Sequence, residues 1–188
     1  AQGVQLRIRA SAPTTNEARR LISPVEEEIR SLVGEYIWGA DEQTLEEQLG
    51  QDLRKLGLTV ATMESCTGGY LANSITDRSD SDEYFRGGVV AISDQMKIVN
   101  GVSAATIKDH GAVSQETATA MAEAIRDSMS ADFGIGITGV VGPENLKGKP
   151  AGTVYIGVAR NGRRESSSFR FPAGNRSVVK HRAVVSAL

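Results

Sequence analysis

The sequence predicts an α/β protein. The expected architecture is a three-layer α/β/α sandwich with a mainly parallel sheet and an antiparallel edge, preceded by a partial small α/β unit. Three observations predict it. Two short, almost continuously apolar runs, "LTVATM" (58–63) and "DFGIGIT" (132–138), have the pattern of strands covered on both faces. Segments with helical apolar spacing alternate with such runs. Asn161-Gly162 stands between two strand-like segments, 152–160 and 165–171, and marks a hairpin.

Taken in order, Val4, Leu6, Ile8 and Ala10 alternate with polar residues over 3–11, which predicts a half-buried strand. Leu21, Ile22, Val25, Ile29 and Leu32 follow at helical spacing. Within them, Ser23-Pro24-Val25-Glu26 reads as a fresh helix start, with Ser23 as N-cap, Pro24 at the first position and Glu26 closing a capping box. A kink and a break at this point are both open. "GEYIWGADEQ" (34–43) reads as a linker, or as a short strand and turn. Residues 1–40 are therefore expected to be the tail of a small α/β unit with its linker, and residues 41–188 the main domain.

The main domain opens with a helix at about 42–56, carried by Leu45, Leu49, Leu53 and Leu56 and stopped by Gly57. After strand 58–63 come a helix at about 68–76, a strand over 87–93 and short helices at about 94–99 and 104–109. Ser114 caps a longer helix, 115–130, with Ala118, Met121, Ala122, Ile125 and Met129 on one face. Strand 132–138, the hairpin and a helix from about 175 to the end complete the order.

The chain has 188 residues, 40% hydrophobic and 23% charged, which suffices for a sizeable core. A formal net charge of −2 gives no general attraction to nucleic acid or to an anionic membrane, so neither is an expected partner. A lone cysteine excludes an intramolecular disulfide and argues against a thiolate zinc site. No metal and no cofactor are expected. Cysteine usage fits a reducing compartment, and the cytoplasm is the expected location. No apolar run approaches the length of a membrane span. The chain begins at Ala1 rather than methionine and reads as an excerpt.

Ligands of open α/β sheets sit at the carboxyl ends of the strands. Here those ends carry Glu64-Ser65-Cys66-Thr67-Gly68-Gly69, Ser93 with Lys97 one helical turn on, and Thr138-Gly139-Val140-Val141-Gly142-Pro143. Ser65 lies at a strand-to-helix corner, where backbone N–H groups can stabilise an oxyanion. A serine needs a base. The two histidines, His110 and His181, occupy no obvious place, so Lys97 is the candidate, provided desolvation frees it of its proton. The plainer reading makes Ser65 a helix N-cap and Lys97 a solvated lysine. Cys66 is the rival nucleophile, or simply a small buried thiol. Thr67, Gly68 and Gly69 suit a phosphate cradle or a tight turn. Arg176, in the first turn of the last helix, opposes the helix dipole unless an anion shares that helix start. An idle exposed arginine is the other reading. His110 reads as structural at a helix end, and Trp38 as packing.

These motifs together resemble the C-terminal domain of the CinA family of competence/damage-inducible proteins. The carrying stretches are "ESCTGG" (64–69), "YFRGGVVAIS" (84–93), "HGAVS" (110–114), "ITGVVGP" (137–143), "KPAGTVYIGVA" (149–159) and "FPAGNR" (171–176). Residues 1–58 resemble the middle region of full-length CinA proteins, and the resemblance implies a further N-terminal domain absent from this chain. It also implies the hydrolysis of nicotinamide mononucleotide to the acid and ammonia, and, since full-length relatives commonly self-associate, a homodimer. A related phosphorylated small molecule is the other ligand in view. Ser65 and Lys97 then match the family's catalytic pair. The corner 66–69 would hold the oxyanion, and Thr138, with Gly139 beside it, and Arg176 match phosphate-binding positions. One departure bears on activity. Active relatives carry a Tyr-Ser-Asn triplet with a catalytic tyrosine, where this chain has Ile92-Ser93-Asp94. Isoleucine has no proton to transfer, and Asp94 can pair with Lys97. The resemblance therefore implies a weakened or lost activity, with a non-catalytic nucleotide-binding or scaffold module as the alternative. Tyr70 and Tyr84 are the phenols available as substitutes. The loop "GPENLKGKP" (142–150) also departs from the glycine-rich loop of many relatives.

Overall fold

A computed structural model describes residues 4–146 and 148–188. They fall into two compact units, Ala1–Gln48 and Leu49–Leu188. The first unit is built on helix α1 (Thr15–Val33), which starts at a capping box. The Thr14 hydroxyl accepts the Glu17 N–H, and the Glu17 carboxylate accepts the Thr14 N–H. Pro24 does not break this helix. Its missing N–H removes one bond from the ladder. The helix runs through, and Ser23 spends its hydroxyl on the Arg19 carbonyl at 3.0 Å rather than capping a new start. The strand expected over 3–11 is not formed by residues 4–11, and Gly3 lies outside the described residues. A period of two marks a face, but a strand also needs a neighbour for its ladder. Val4 is 92% exposed. Residues Gly34–Tyr36 form one 3₁₀ turn.

Helix α2 (Leu45–Leu56) begins in the first unit and ends in the second. The second unit holds a five-stranded sheet, β1 (Val60–Glu64), β2 (Phe85–Val90), β3 (Phe133–Gly139), β4 (Thr153–Arg160) and β5 (Arg163–Arg170), in the order β2-β1-β3-β4-β5. β2, β1 and β3 run parallel, while β4 and β5 form the antiparallel hairpin at one edge, turning at Asn161-Gly162. The helices are α3 (Tyr70–Thr76), α4 (Asp94–Val99), α5 (Ala104–His110), α6 (Gln115–Ser128) and α7 (Arg176–Ala187).

Side-chain alternation sorts the core onto the two sheet faces. Val60, Ile135, Ile137, Val154 and Ile156 pack with Leu53 of α2, Leu71 and Ile75 of α3, and Val179, Ala183 and Val184 of α7. Ala61 and Met63 point the other way, onto Met121 and Ile125 of α6 and onto Val102. Helix α6 lies unusually close to the sheet because Gly134 and Gly136 of β3 and Gly157 of β4 offer it bare backbone. A Cβ on Gly136 would overlap the Ala118 carbonyl oxygen and stand 2.6 Å from the Ala122 nitrogen. The glycines that interrupt "DFGIGIT" are thus the seat of a helix. Among the described residues, no helix is long and apolar enough to cross a membrane.

Candidate functional site

The carboxyl end of β1 is Glu64, a glutamate with 1% exposure at the end of an apolar strand. A buried carboxylate needs donors. It finds them in the N–H groups of Gly69 (3.1 Å), Leu71 (3.0 Å) and Ala72 (2.8 Å), so it holds the start of α3 from inside. The chain between, Ser65–Gly69, is a tight corner. Gly68 (φ +68°) and Gly69 (φ +93°) supply the left-handed backbone that turns strand into helix. The Ser65 N–H donates to the Ile137 carbonyl of β3 at 2.8 Å, which fixes the corner against the end of the neighbouring strand. Glu64→Gln is expected to destabilise the second unit by about 1–3 kcal/mol, because an amide presents one acceptor oxygen where three N–H groups need two. Urea unfolding compared with the unchanged chain checks it.

Lys97 comes to Ser65 from α4. Ser93 caps that helix by accepting the Met96 N–H at 3.1 Å. Lys97 is 1% exposed, and its amino group donates to the Ile92 carbonyl at 2.9 Å and to Ser65 Oγ at 3.3 Å. The plainer readings therefore do not hold. Lys97 is not solvated, and the N-cap of α3 is Gly69 rather than Ser65. Asp94 lies in the first turn of α4, three residues before Lys97. The Ile92 side chain is 69% exposed, so position 92 grips the lysine through its backbone.

Cys66 does not present a thiolate. Burial pushes its thiol up to about 12, and the Glu64 carboxylate adds to the rise against the pull of its own N–H, Lys180 and Lys97. The corner is also a narrower source of oxyanion donors than the sequence suggested. Gly68 N–H donates to the Ser65 carbonyl at 3.2 Å and Gly69 N–H to Glu64, so both are used inside the turn. Among the described residues, the N–H groups of Cys66 and Thr67 donate to no carbonyl or carboxylate. Thr67 is 2% exposed, and its hydroxyl has no hydrogen-bond partner.

Thr138 sits near the end of β3, but its hydroxyl donates to the Ala112 carbonyl at 2.7 Å and is buried. Its proton holds the loop ahead of α6. Gly139 closes β3 opposite Val154. Arg176 opens α7, which Asn175 caps, and its guanidinium donates to the Gly142 carbonyl in the loop beyond β3. That carbonyl partly answers the conflict between a cation and the helix dipole. One turn along α7, Lys180 places its Nζ 3.4 Å from where a Cβ would stand on Gly68. The structure thus brings together Ser65 with Lys97, Gly68 with Lys180, and Arg176 with the 142 loop, all at the carboxyl ends of β1 and β3. Sequence reasoning missed Glu64 and Lys180. The signals were there: a glutamate inside an apolar run, and a lysine four residues after Arg176.

Neither Tyr70 nor Tyr84 makes a hydrogen bond to Ser65 among the described residues. Tyr84 is buried before the start of β2, against Gly50. Tyr70 Oη lies 3.3 Å from His181 Nδ1. His110 ends α5 with Nδ1 3.8 Å from a Glu116 carboxylate oxygen, and Trp38 lines a cavity of about 230 Å³ with Arg30 and Gln43.

Comparison with known proteins now bears on identity. The family model described as the CinA C-terminal domain matches residues 42–188. The chain belongs to the CinA family. A second family model, the damage-inducible protein CinA KH domain, matches residues 1–39. Those residues contain no Gly-x-x-Gly loop of the kind with which KH domains clamp a nucleic-acid backbone. The curated CinA relatives include a CinA-like protein of Kosmotoga olearia, 41% identical over 187 residues, covering 98% of this chain and 45% of that protein. Another, from Synechocystis, is 44% identical over 159 residues, covering 82% of this chain and 38% of that protein. The chain therefore spans less than half the length of these relatives. Among solved structures, a CinA superfamily protein of Escherichia coli is 34% identical with a TM-score of 0.74, covering 80% of this chain and 90% of that one. The competence/damage inducible protein CihA of Agrobacterium tumefaciens is 32% identical with a TM-score of 0.73, covering 80% and 93%. Both confirm the CinA fold of a mixed sheet between helical layers.

Proposed function

We propose that the second unit is an amide hydrolase of the nicotinamide mononucleotide deamidase type. It would convert nicotinamide mononucleotide and water to nicotinate mononucleotide and ammonia. The observation that supports this reading most is the buried Lys97 amine on the Ser65 hydroxyl, at a strand-to-helix corner. A serine is activated by an adjacent base, and a base at 3.3 Å in the unliganded state is within the range that tightens on binding. Ser65 Oγ attacks the carboxamide carbon while its proton passes to the Lys97 amine. The tetrahedral oxygen is met by the Thr67 N–H, which donates to no carbonyl or carboxylate. Lys97 returns the proton to the leaving nitrogen, ammonia departs, and water hydrolyses the serine ester to the acid. Arg176 holds the substrate phosphate. The reading includes a cytoplasmic location and assigns residues 1–40 to the tail of a separate small unit.

Ile92 lowers the rate in this scheme, since no phenol assists the proton transfers. The Ile92 side chain is largely in solvent, so a tyrosine there fits without repacking. Ile92→Tyr is expected to raise ammonia release by about 10²-fold or more. The test is ammonia release from nicotinamide mononucleotide by the purified chain and by Ile92→Tyr. Release by either supports the amidase. A folded Ile92→Tyr protein that binds the nucleotide yet releases none returns the chain to a non-catalytic binding module.

A further inference from the structure

The corner next to Ser65 is flanked by a second lysine that the scheme above does not use. Lys180 is partly buried, and its ammonium stands over Gly68. It has no ion pair or hydrogen bond among the described residues. Its charge still acts on Cys66 in the same turn. The helix that carries it, RSVVKHRAVVSA, has three basic residues apart from its histidine and no acid. The turn beneath offers two further groups that want an acceptor or donor. The Thr67 hydroxyl is buried without a partner, and the Thr67 N–H donates to no carbonyl or carboxylate. Glu64, the carboxylate nearest in sequence, is already satisfied by three N–H groups and does not answer Lys180. An uncompensated cation over a turn with spare donors is the arrangement that recognises anionic oxygen.

We propose that Lys180 and Thr67 form a subsite for anionic oxygen above the Ser65–Gly69 corner. The oxygen comes either from the substrate's phosphate, shared with Arg176 one helical turn away, or from the tetrahedral adduct on Ser65. The proposal rests on the amidase reading for the identity of the anion.

The experiment uses the whole chain. Calorimetric binding of nicotinamide mononucleotide is compared for Ser65→Ala and for Ser65→Ala with Lys180→Met. Turnover of nicotinamide mononucleotide and of nicotinamide riboside, its phosphate-free counterpart, is then compared for the unchanged chain, Lys180→Met and Lys180→Arg. Methionine keeps the stem's packing, and an unaltered unfolding midpoint shows that the fold survives. A phosphate role predicts a Kd for the mononucleotide raised about tenfold, a matching KM rise for that substrate alone, and recovery in Lys180→Arg. An oxyanion role predicts a kcat loss of about 10²-fold on both substrates with KM unchanged. If ammonia is never released but binding depends on Lys180, the subsite holds and the amidase reading falls. If the unchanged chain turns over and Lys180→Met matches it in Kd, KM and kcat, the subsite is wrong and the amidase stands. If no nucleotide binds and no ammonia forms, both fall.

Discussion

Lys97→Met is expected to cut ammonia release by about 10²–10⁴-fold with little change in KM. The lysine is buried at 1% exposure with its amine on the Ser65 hydroxyl, and no other side-chain base is hydrogen-bonded to that hydroxyl among the described residues. Methionine reproduces the stem, so the packing survives. The Ile92 carbonyl and Ser65 Oγ each lose a donor, which costs stability by about 1–2 kcal/mol. Ser65→Ala should lose a similar factor in kcat. The decisive measurement is the double variant. Groups that act as one unit are grossly non-additive, so Ser65→Ala with Lys97→Met should be no slower than the worse single change. Losses that multiply would mean that serine and lysine serve separate tasks, and the proton-transfer pair would have to be abandoned.

Gly136→Ala is expected to be a severely damaging conservative change in the fold. An alanine methyl at this site runs into the backbone of α6 at Ala118 and Ala122 rather than into a movable side chain. Overpacking a core usually costs about 1–3 kcal/mol, and a clash with a helix backbone belongs at or above the top of that range. Against a total stability of about 5–15 kcal/mol, that removes a large fraction. Gly174→Ala is the control, because a methyl there meets nothing within 4 Å and the backbone is not left-handed. Equal urea midpoints for the two variants would show that α6 does not depend on bare strand backbone.

Much of this molecule was legible because its signals are local. The elements of the main sheet follow from apolar runs and spacing, and the hairpin from Asn161-Gly162. The pairing of Ser65 with Lys97 came from resemblance together with the rule that ligands gather at strand ends. What spacing could not give was direction. Thr138 stands at a strand end, as expected, yet its hydroxyl turns to Ala112. Gly68 and Gly69 lie in the corner, yet their N–H groups are used there. Ser23 and Pro24 carried a start pattern that is real chemistry, but a helix already begun at Thr14 overrode it at the loss of one ladder bond. The strand over 3–11 failed for the opposite reason, since alternation is written in one segment and a ladder needs two.

The bond from the Ser65 amide to the Ile137 carbonyl ties the reactive corner to a segment made much later in the chain. The β4–β5 hairpin closes a short loop and can form early, whereas bringing β1 beside β3 waits on a long closure. Any ammonia release should therefore return during refolding no sooner than the central sheet is complete, and a chain interrupted before β3 would carry Ser65 and Lys97 without the scaffold that aims them.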